Sequence, residues 1–150
     1  MEWSAVPNWI SAVAATVAAG SLILTLWQVR VVKTIAMMEF EDSMGREYRE
    51  LVGRLPAKAL LGESLSDIEH SESIDEFIHY IDLCNEQIFL RRCERICDQT
   101  WEFWRQGIET NLTLVAFARA WNEVKDRSSS FNELRRLERE EFRSDPAVWS

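Results

Sequence analysis

Glu76, His79, Asp82 and Glu86 stand three or four residues apart, and on a helix that spacing stacks four metal-capable or proton-transferring side chains along one face. Glu76-x-x-His79 is the separation at which a glutamate and a histidine one turn apart reach the same ion in di-iron carboxylate bundles. Such bundles need a second pair, and the only other histidine, His70, falls in a polar stretch that reads as a linker. The four residues are therefore read as a solvated helix face. Cys93-x-x-x-Cys97 offers two thiolates to zinc with His79 nearby, but the spacing is not that of a C-x-x-C knuckle and the remaining ligands would have to be improvised. Cys84 and His79 form a nominal nucleophile and base. Five residues apart on one helix they point in different directions, and Cys84 lies on an apolar stripe, so the thiol reads as core. The five glycines fall in neither G-x-x-x-x-G-K nor G-x-G-x-x-G, which leaves no phosphate loop. No catalytic residue, metal ligand or cofactor is assigned, and the chain is not expected to be an enzyme.

Arg91, Arg92 and Arg95 are the one basic concentration in an acidic region. One reading has them complement the negative end of a helix that starts at Ser73. The other is a guanidinium cluster that grips a phosphate, as a receptor for a small nucleotide or an acidic partner requires.

The elements that must carry these residues begin with an uncharged run from Trp3 to Val29, bracketed by Trp9 and Trp27 and closed by Arg30 and Lys33. The two tryptophans are eighteen positions apart, about 27 Å at helical rise, close to the hydrocarbon thickness of a bilayer. Indole rings favour the two headgroup levels, so Trp9, Trp27, Arg30 and Lys33 are the expected membrane-interface residues. A cleaved signal peptide would need a positive leading region, whereas the only charge there is Glu2. Arg30 and Lys33 follow the run and no Lys or Arg precedes it, which predicts a single-pass protein with its N-terminus outside and its C-terminal part in the cytoplasm. Within the run, Ala12, Thr16 and Gly20 form a small-residue ridge flanked by Ala15 and Ala19, the pattern that lets membrane helices approach closely. A homo-oligomer, or docking on another membrane protein, is expected. With no ionisable residue in the run, an ion pathway has no candidate ligand.

The side chains through Lys33 carry a charge of +1, so the remainder carries −9 of the total −8. So negative a domain lacks the electrostatic term that drives nucleic-acid binding, and no nucleic-acid partner is expected. Cys84, Cys93 and Cys97 form no disulfide framework, which suits reduced thiols, and the sequon at Asn111-Leu112-Thr113 is incidental on a cytoplasmic side. Met37, Phe40, Met44, Tyr48, Leu51 and Leu55 recur at helical steps, which predicts that residues 34–56 continue the anchor (1–33) as an amphipathic stalk, ended by Pro56. A linker is expected over 57–72. A capping box at Ser73-Ile74-Asp75-Glu76 then opens a helical domain over 73–143, with Ile74, Phe77, Ile78, Ile81, Cys84 and Ile88 on its first stripe. A break near Arg95 to Asp98, a stripe of Trp101, Trp104, Ile108 and Leu112, a cap at Thr113, and a second box at Ser130-Phe131-Asn132-Glu133 complete it. The tail, 144–150, is expected to fray.

Tyr80-Ile81-Asp82-Leu83-Cys84-Asn85-Glu86-Gln87, with Trp101, Trp104, Phe117 and Trp121, resembles a loose group of small bacterial proteins of unknown function that have an N-terminal membrane helix and a cytoplasmic helical domain. The resemblance implies topology, fold and a bacterial inner membrane, and transfers no site. The expected fold is all-α: one transmembrane helix continuing into a stalk, then a small helical bundle. The expected function is a membrane-anchored interaction protein or small subunit of a membrane complex. The alternative is an oligomeric effector that perturbs the membrane in a stress or anti-phage response, gated by a signal on the cytoplasmic domain.

Overall fold

The computed structural model describes residues 8–149, apart from the side chains of Asn8, Trp9 and Ser11, and every regular element among them is helical. The order is α1 (Asn8–Val52), α2 (Ala57–Leu60), α3 (Asp67–Arg92), α4 (Asp98–Thr113), α5 (Val115–Arg127), α6 (Asn132–Arg139) and a 3-10 turn at Pro146–Val148. The all-α expectation holds. The chain divides into two compact units, one up to Glu39 and one from Phe40 onward.

In the first unit α1 contains a segment long and apolar enough to cross a membrane. Val13, Val17, Leu22, Ile23, Leu24, Leu26 and Trp27 all expose more than half their surface. Its polar side chains are satisfied within the helix. The hydroxyls of Thr16, Ser21 and Thr25 donate to the carbonyls of Ala12, Val17 and Ser21 at 2.9, 2.9 and 2.8 Å. A hydroxyl bonded back to its own helix carries no unmet demand into an apolar solvent. The Trp9 side chain lies outside the described residues.

The second unit is built around α3. Phe77, Ile81, Cys84 and Ile88 form one buried stripe, Tyr80, Gln87 and Arg91 a second, and Leu83 and Leu90 a third. A helix buried on several faces has to be wrapped, and α5, α6, α4 and the C-terminal 3-10 turn all pack on it. Phe117 of α5 meets the rings of Phe77 and Tyr80 edge-on at 5.1 and 5.0 Å, the offset that aromatic quadrupoles prefer. Leu134 and Leu137 of α6 are fully buried in the same core.

Several expected boundaries move. The stretch 57–72 is not an open linker: it contains α2, buries Ala59 and Leu65, and holds the first turn of α3. Helix α3 starts at Asp67, not Ser73. Two boxes of the same pattern lie seven residues apart, and the earlier one caps the helix. The Glu69 amide donates to Ser66 Oγ at 3.3 Å and the Ser66 amide to Glu69 Oε2 at 2.9 Å, while Ser73 bonds back to the Glu69 carbonyl as an interior residue. The predicted stalk, 34–56, belongs to the second unit from Phe40 onward, where Met44 is buried and Tyr48, Leu51 and Val52 pack on the core.

Thr113 does not cap α5. Its hydroxyl donates to the Thr110 carbonyl, and Leu114 takes the cap position without a side-chain bond. The box at Ser130 does not form either, because the N-cap of α6 is Phe131 in the left-handed region (φ 62°). Asn85 of α3 supplies the missing acceptor: its Oδ1 receives the amides of Glu133 and Leu134 at 3.1 and 3.2 Å. The tail does not fray through Trp149. Pro146 is buried, Asp145 Oδ1 accepts the Ala147 amide at 3.0 Å, and Arg136 lies over the Trp149 ring at 4.4 Å.

Since α6 depends on a cap from another helix, Asn85→Ala should lower the unfolding free energy of the full chain by about 1 kcal/mol, a typical cap loss. Asn85→Asp keeps an acceptor at a helix N-terminus and should stay within about 0.5 kcal/mol of the parent. Denaturant titration followed by tryptophan fluorescence reads both.

Candidate functional site

The residues that could do chemistry do not converge. His79, Asp82 and Glu86 face Arg46, Glu47 and Glu50 of α1 across a cleft of about 590 Å³. Burial, then the nearby Glu47 and Asp82 carboxylates, raises the pKa of Glu86. Glu76 is apart from them, with one carboxylate oxygen buried and unpartnered. His70 lies inside α3 and not in a linker: its Nε2 is 2.9 Å from Glu123 Oε2, its ring stacks on Phe77, and its Nδ1 is buried without a partner. No group of three His, Cys, Asp or Glu residues among those described is placed to hold a metal ion.

The cysteines are separately employed. Burial pushes the Cys84 thiol up to about 12, which keeps it protonated and inert as a nucleophile. Cys93 is exposed at the C-cap of α3. Cys97 is the N-cap of α4, its sulfur accepting the Thr100 amide at 3.5 Å. There Glu41 of α1 completes the helix start: its carboxylate takes the Cys97 amide and the Thr100 hydroxyl, each at 2.8 Å. A carboxylate at a helix N-terminus meets both unpaired amides and the positive end of the macrodipole.

The arginine cluster is dispersed as well. Arg91 keeps only 7% of its side chain exposed. Its guanidinium donates to Asp145 at 2.8 and 2.5 Å and to the Ile96 carbonyl at 2.8 Å, with Asp98 at 2.7 Å. The Asp145 hydrogen bond is the largest contributor to its raised pKa. Arg92 pairs with Glu133 at 2.7 Å and lies over the Phe89 ring. Arg95 is exposed and has no ion pair among the described residues. Arg91 thus ties the α3–α4 connection and the C-terminal turn to α3, and cannot reach a phosphate without giving up those bonds.

A different site emerges between α1, α3 and α4. A groove of about 470 Å³ is lined by Tyr48 and Arg49 of α1, Tyr80 and Gln87 of α3, and Phe103, Trp104 and Asn111 of α4. Asn111 Nδ2 donates to the Tyr80 hydroxyl at 2.9 Å and the Tyr48 hydroxyl at 3.4 Å, and the two tyrosine rings are 6.4 Å apart. Burial holds the Tyr80 phenol well above its ordinary pKa, so it stays neutral. Gln87 is 4% exposed, and its amide has no hydrogen-bond partner among the described residues. Arg49 lines the rim without an ion pair among them. Gly45 and Gly107 also line this groove, and a Cβ at Gly107 would meet nothing within 4 Å. The sequence carries a signal for Gln87, since Tyr80, Cys84, Gln87 and Arg91 recur at steps of four, three and four; an amide in that stripe is a polar group in the interior.

Removing Asp145 leaves the Arg91 charge buried, whereas removing Arg91 removes the charge itself. Asp145→Asn should therefore destabilise the full chain by about 2 kcal/mol and Arg91→Met by less. Arg91 holds the Asp145 carboxyl below the usual carboxylate range, so this contribution is present above roughly pH 4 and lost as pH falls further. Urea titrations between roughly pH 3 and pH 6 should show a shallower acid-side loss in the Asn variant than in the parent. No protein-family model, curated protein or solved structure matches the chain.

Proposed function

We propose that the protein is a single-pass membrane-anchored interaction protein of a bacterial inner membrane, with its helical domain in the cytoplasm, where it docks a partner or serves as a small subunit of a larger membrane complex. The observation that carries this reading is the exposed apolar segment of α1, whose side chains find no place in a core. A soluble monomer rarely leaves so long an apolar surface in water, and a bilayer removes the conflict. The internally bonded hydroxyls suit the same solvent. Trp27, Arg30 and Lys33 are all exposed at the end of that segment, as headgroup contacts require. Arg30 and Lys33 also supply the orientation.

Self-association through Ala12, Ala15, Thr16, Ala19 and Gly20 belongs to the same proposal. The Thr16 hydroxyl is turned back on Ala12, and a Cβ at Gly20 would meet nothing within 4 Å, so nothing in this chain requires glycine there. Leu61 and Val115, exposed on segments whose helices α2 and α5 pack together, offer the domain an apolar contact for a partner. The effector reading keeps a specific support in the groove beside Tyr80, which gives a gating ligand somewhere to bind.

Cys93 is the exposed cysteine and Cys84 is buried, which makes topology measurable without new substitutions. A membrane-impermeant maleimide should leave the protein unlabelled in intact cells and label Cys93 once the membrane is opened, and labelling in intact cells would reverse the assigned orientation. Light scattering of the detergent-extracted chain should give a discrete homo-oligomer or a complex with a second membrane polypeptide, and Gly20→Leu should lower that mass. A parent that already runs as a lone monomer would remove the interaction reading.

A further inference from the structure

We propose that the groove between α1, α3 and α4 binds a planar heteroaromatic ring bearing an anionic group, the chemistry of a nucleoside monophosphate. The inference does not rest on α1 crossing a membrane. Its starting point is Gln87, a residue only 4% exposed that lines the groove and whose amide makes no hydrogen bond to a described residue. That amide opens onto the groove and is available to hydrogen-bond a ligand held there. Its counterpart across the groove is Asn111, which spends its NH₂ group on Tyr48 and Tyr80 and so turns its carbonyl oxygen into the acceptor still on offer. Together they present donors and an acceptor to one edge of a ligand. An acyl chain would leave both amides unsatisfied, whereas the edge of a nucleobase supplies matching groups.

The walls suit a flat ring. Trp104 lines the groove, and Phe103 at its side is 76% exposed, so its ring face is open for stacking. Bases stack on such rings whatever their identity. Gly107 adds room: its helical position gains nothing from glycine, and the space where a side chain would sit is open. The volume, about 470 Å³, falls among those of small-molecule sites. Arg49 at the rim lacks an ion pair among the described residues and can meet a phosphate. With a net charge of −8 over the chain, one phosphate on one guanidinium is acceptable where a polyanion is not.

The test is calorimetric titration and thermal unfolding of the full chain in detergent micelles with AMP, GMP, CMP and UMP, with ribose 5-phosphate and the free nucleosides as controls. At least one monophosphate should bind saturably, one per chain, and raise the unfolding temperature, while ribose 5-phosphate should not. Gln87→Leu, which fits the same helical position but removes the amide, should weaken binding by about tenfold or more. Gly107→Leu, which improves helix propensity and fills the open space, should weaken it likewise. Arg49→Gln should weaken the monophosphate and spare the nucleoside. Absence of binding by all four nucleotides overturns the proposal, as does binding of ribose 5-phosphate with equal affinity, or affinity retained in both Gln87→Leu and Gly107→Leu.

Discussion

The burial of α3 on several faces is the constraint from which the rest of the folded unit follows. A helix that carries Phe77, Ile81 and Ile88 on one side and Tyr80, Gln87 and Leu90 elsewhere cannot satisfy its apolar surface against a single neighbour. It needs a shell. The shell helices are short, 13 residues in α5 and 8 in α6, and helices of that length hold together in water mainly through the apolar faces they bury. Each is therefore stable because α3 gives it something to cover. The T-shaped contacts of Phe117 with Phe77 and Tyr80 fix where α5 lies, and the full burial of Leu134 and Leu137 fixes α6.

Polar groups then set the positions of the chain ends that apolar packing leaves loose. Long-range examples among them are Glu41 at the start of α4, Asn85 at the start of α6, and Arg91 against Asp145. Their separations in sequence run from 48 to 56 residues, so each forms only when distant elements are already in place. A buried guanidinium such as Arg91 is weak support for net stability, because its desolvation offsets much of the attraction to Asp145 and Asp98. Its value lies in specificity. A misplaced C-terminal turn deprives that buried charge of its Asp145 partner.

This distinction between apolar and polar determinants explains which features were legible in the sequence. The stripes of α3 and α4 were visible because 3.6-residue periodicity is a local property, and Phe77, Ile81, Cys84, Ile88, Trp101, Ile108 and Leu112, read there, are buried. Helix starts were less legible. Ser66 and Ser73 open identical local patterns, and choosing between them depends on whether 66–72 gains by being helical, which His70 packed on Phe77 and bonded to Glu123 decides. At α6 the local serine lost to an asparagine 48 residues away. The arginine cluster misled for the same reason: neighbours in sequence, Arg91, Arg92 and Arg95 are assigned by tertiary contacts to an interior tie, a surface pair and an exposed position.

The groove was invisible for a related reason, since its residues come from three helices and none is unusual alone. Its existence depends on how α1 meets the bundle. From Phe40 onward α1 touches α3 and α4 through long side chains, with the Tyr48 ring 6.4 Å from Tyr80 and the Glu41 carboxylate reaching out to Cys97. Helices joined through side-chain tips leave space between their backbones, and glycine at positions 45 and 107 widens it. A core optimised only for stability would fill such a space, with Leu at position 87 and Ala at position 107, since glycine in a helix interior costs about 1 kcal/mol and an apolar side chain would bury more surface than an amide that opens onto the groove. The chain retains both at one place, beside a tyrosine pair already held in register by Asn111. Local rules broken together around one cavity are the pattern of a site kept open for an occupant, and that is why the groove, more than the acidic cleft or the arginines, marks where this domain meets something other than itself.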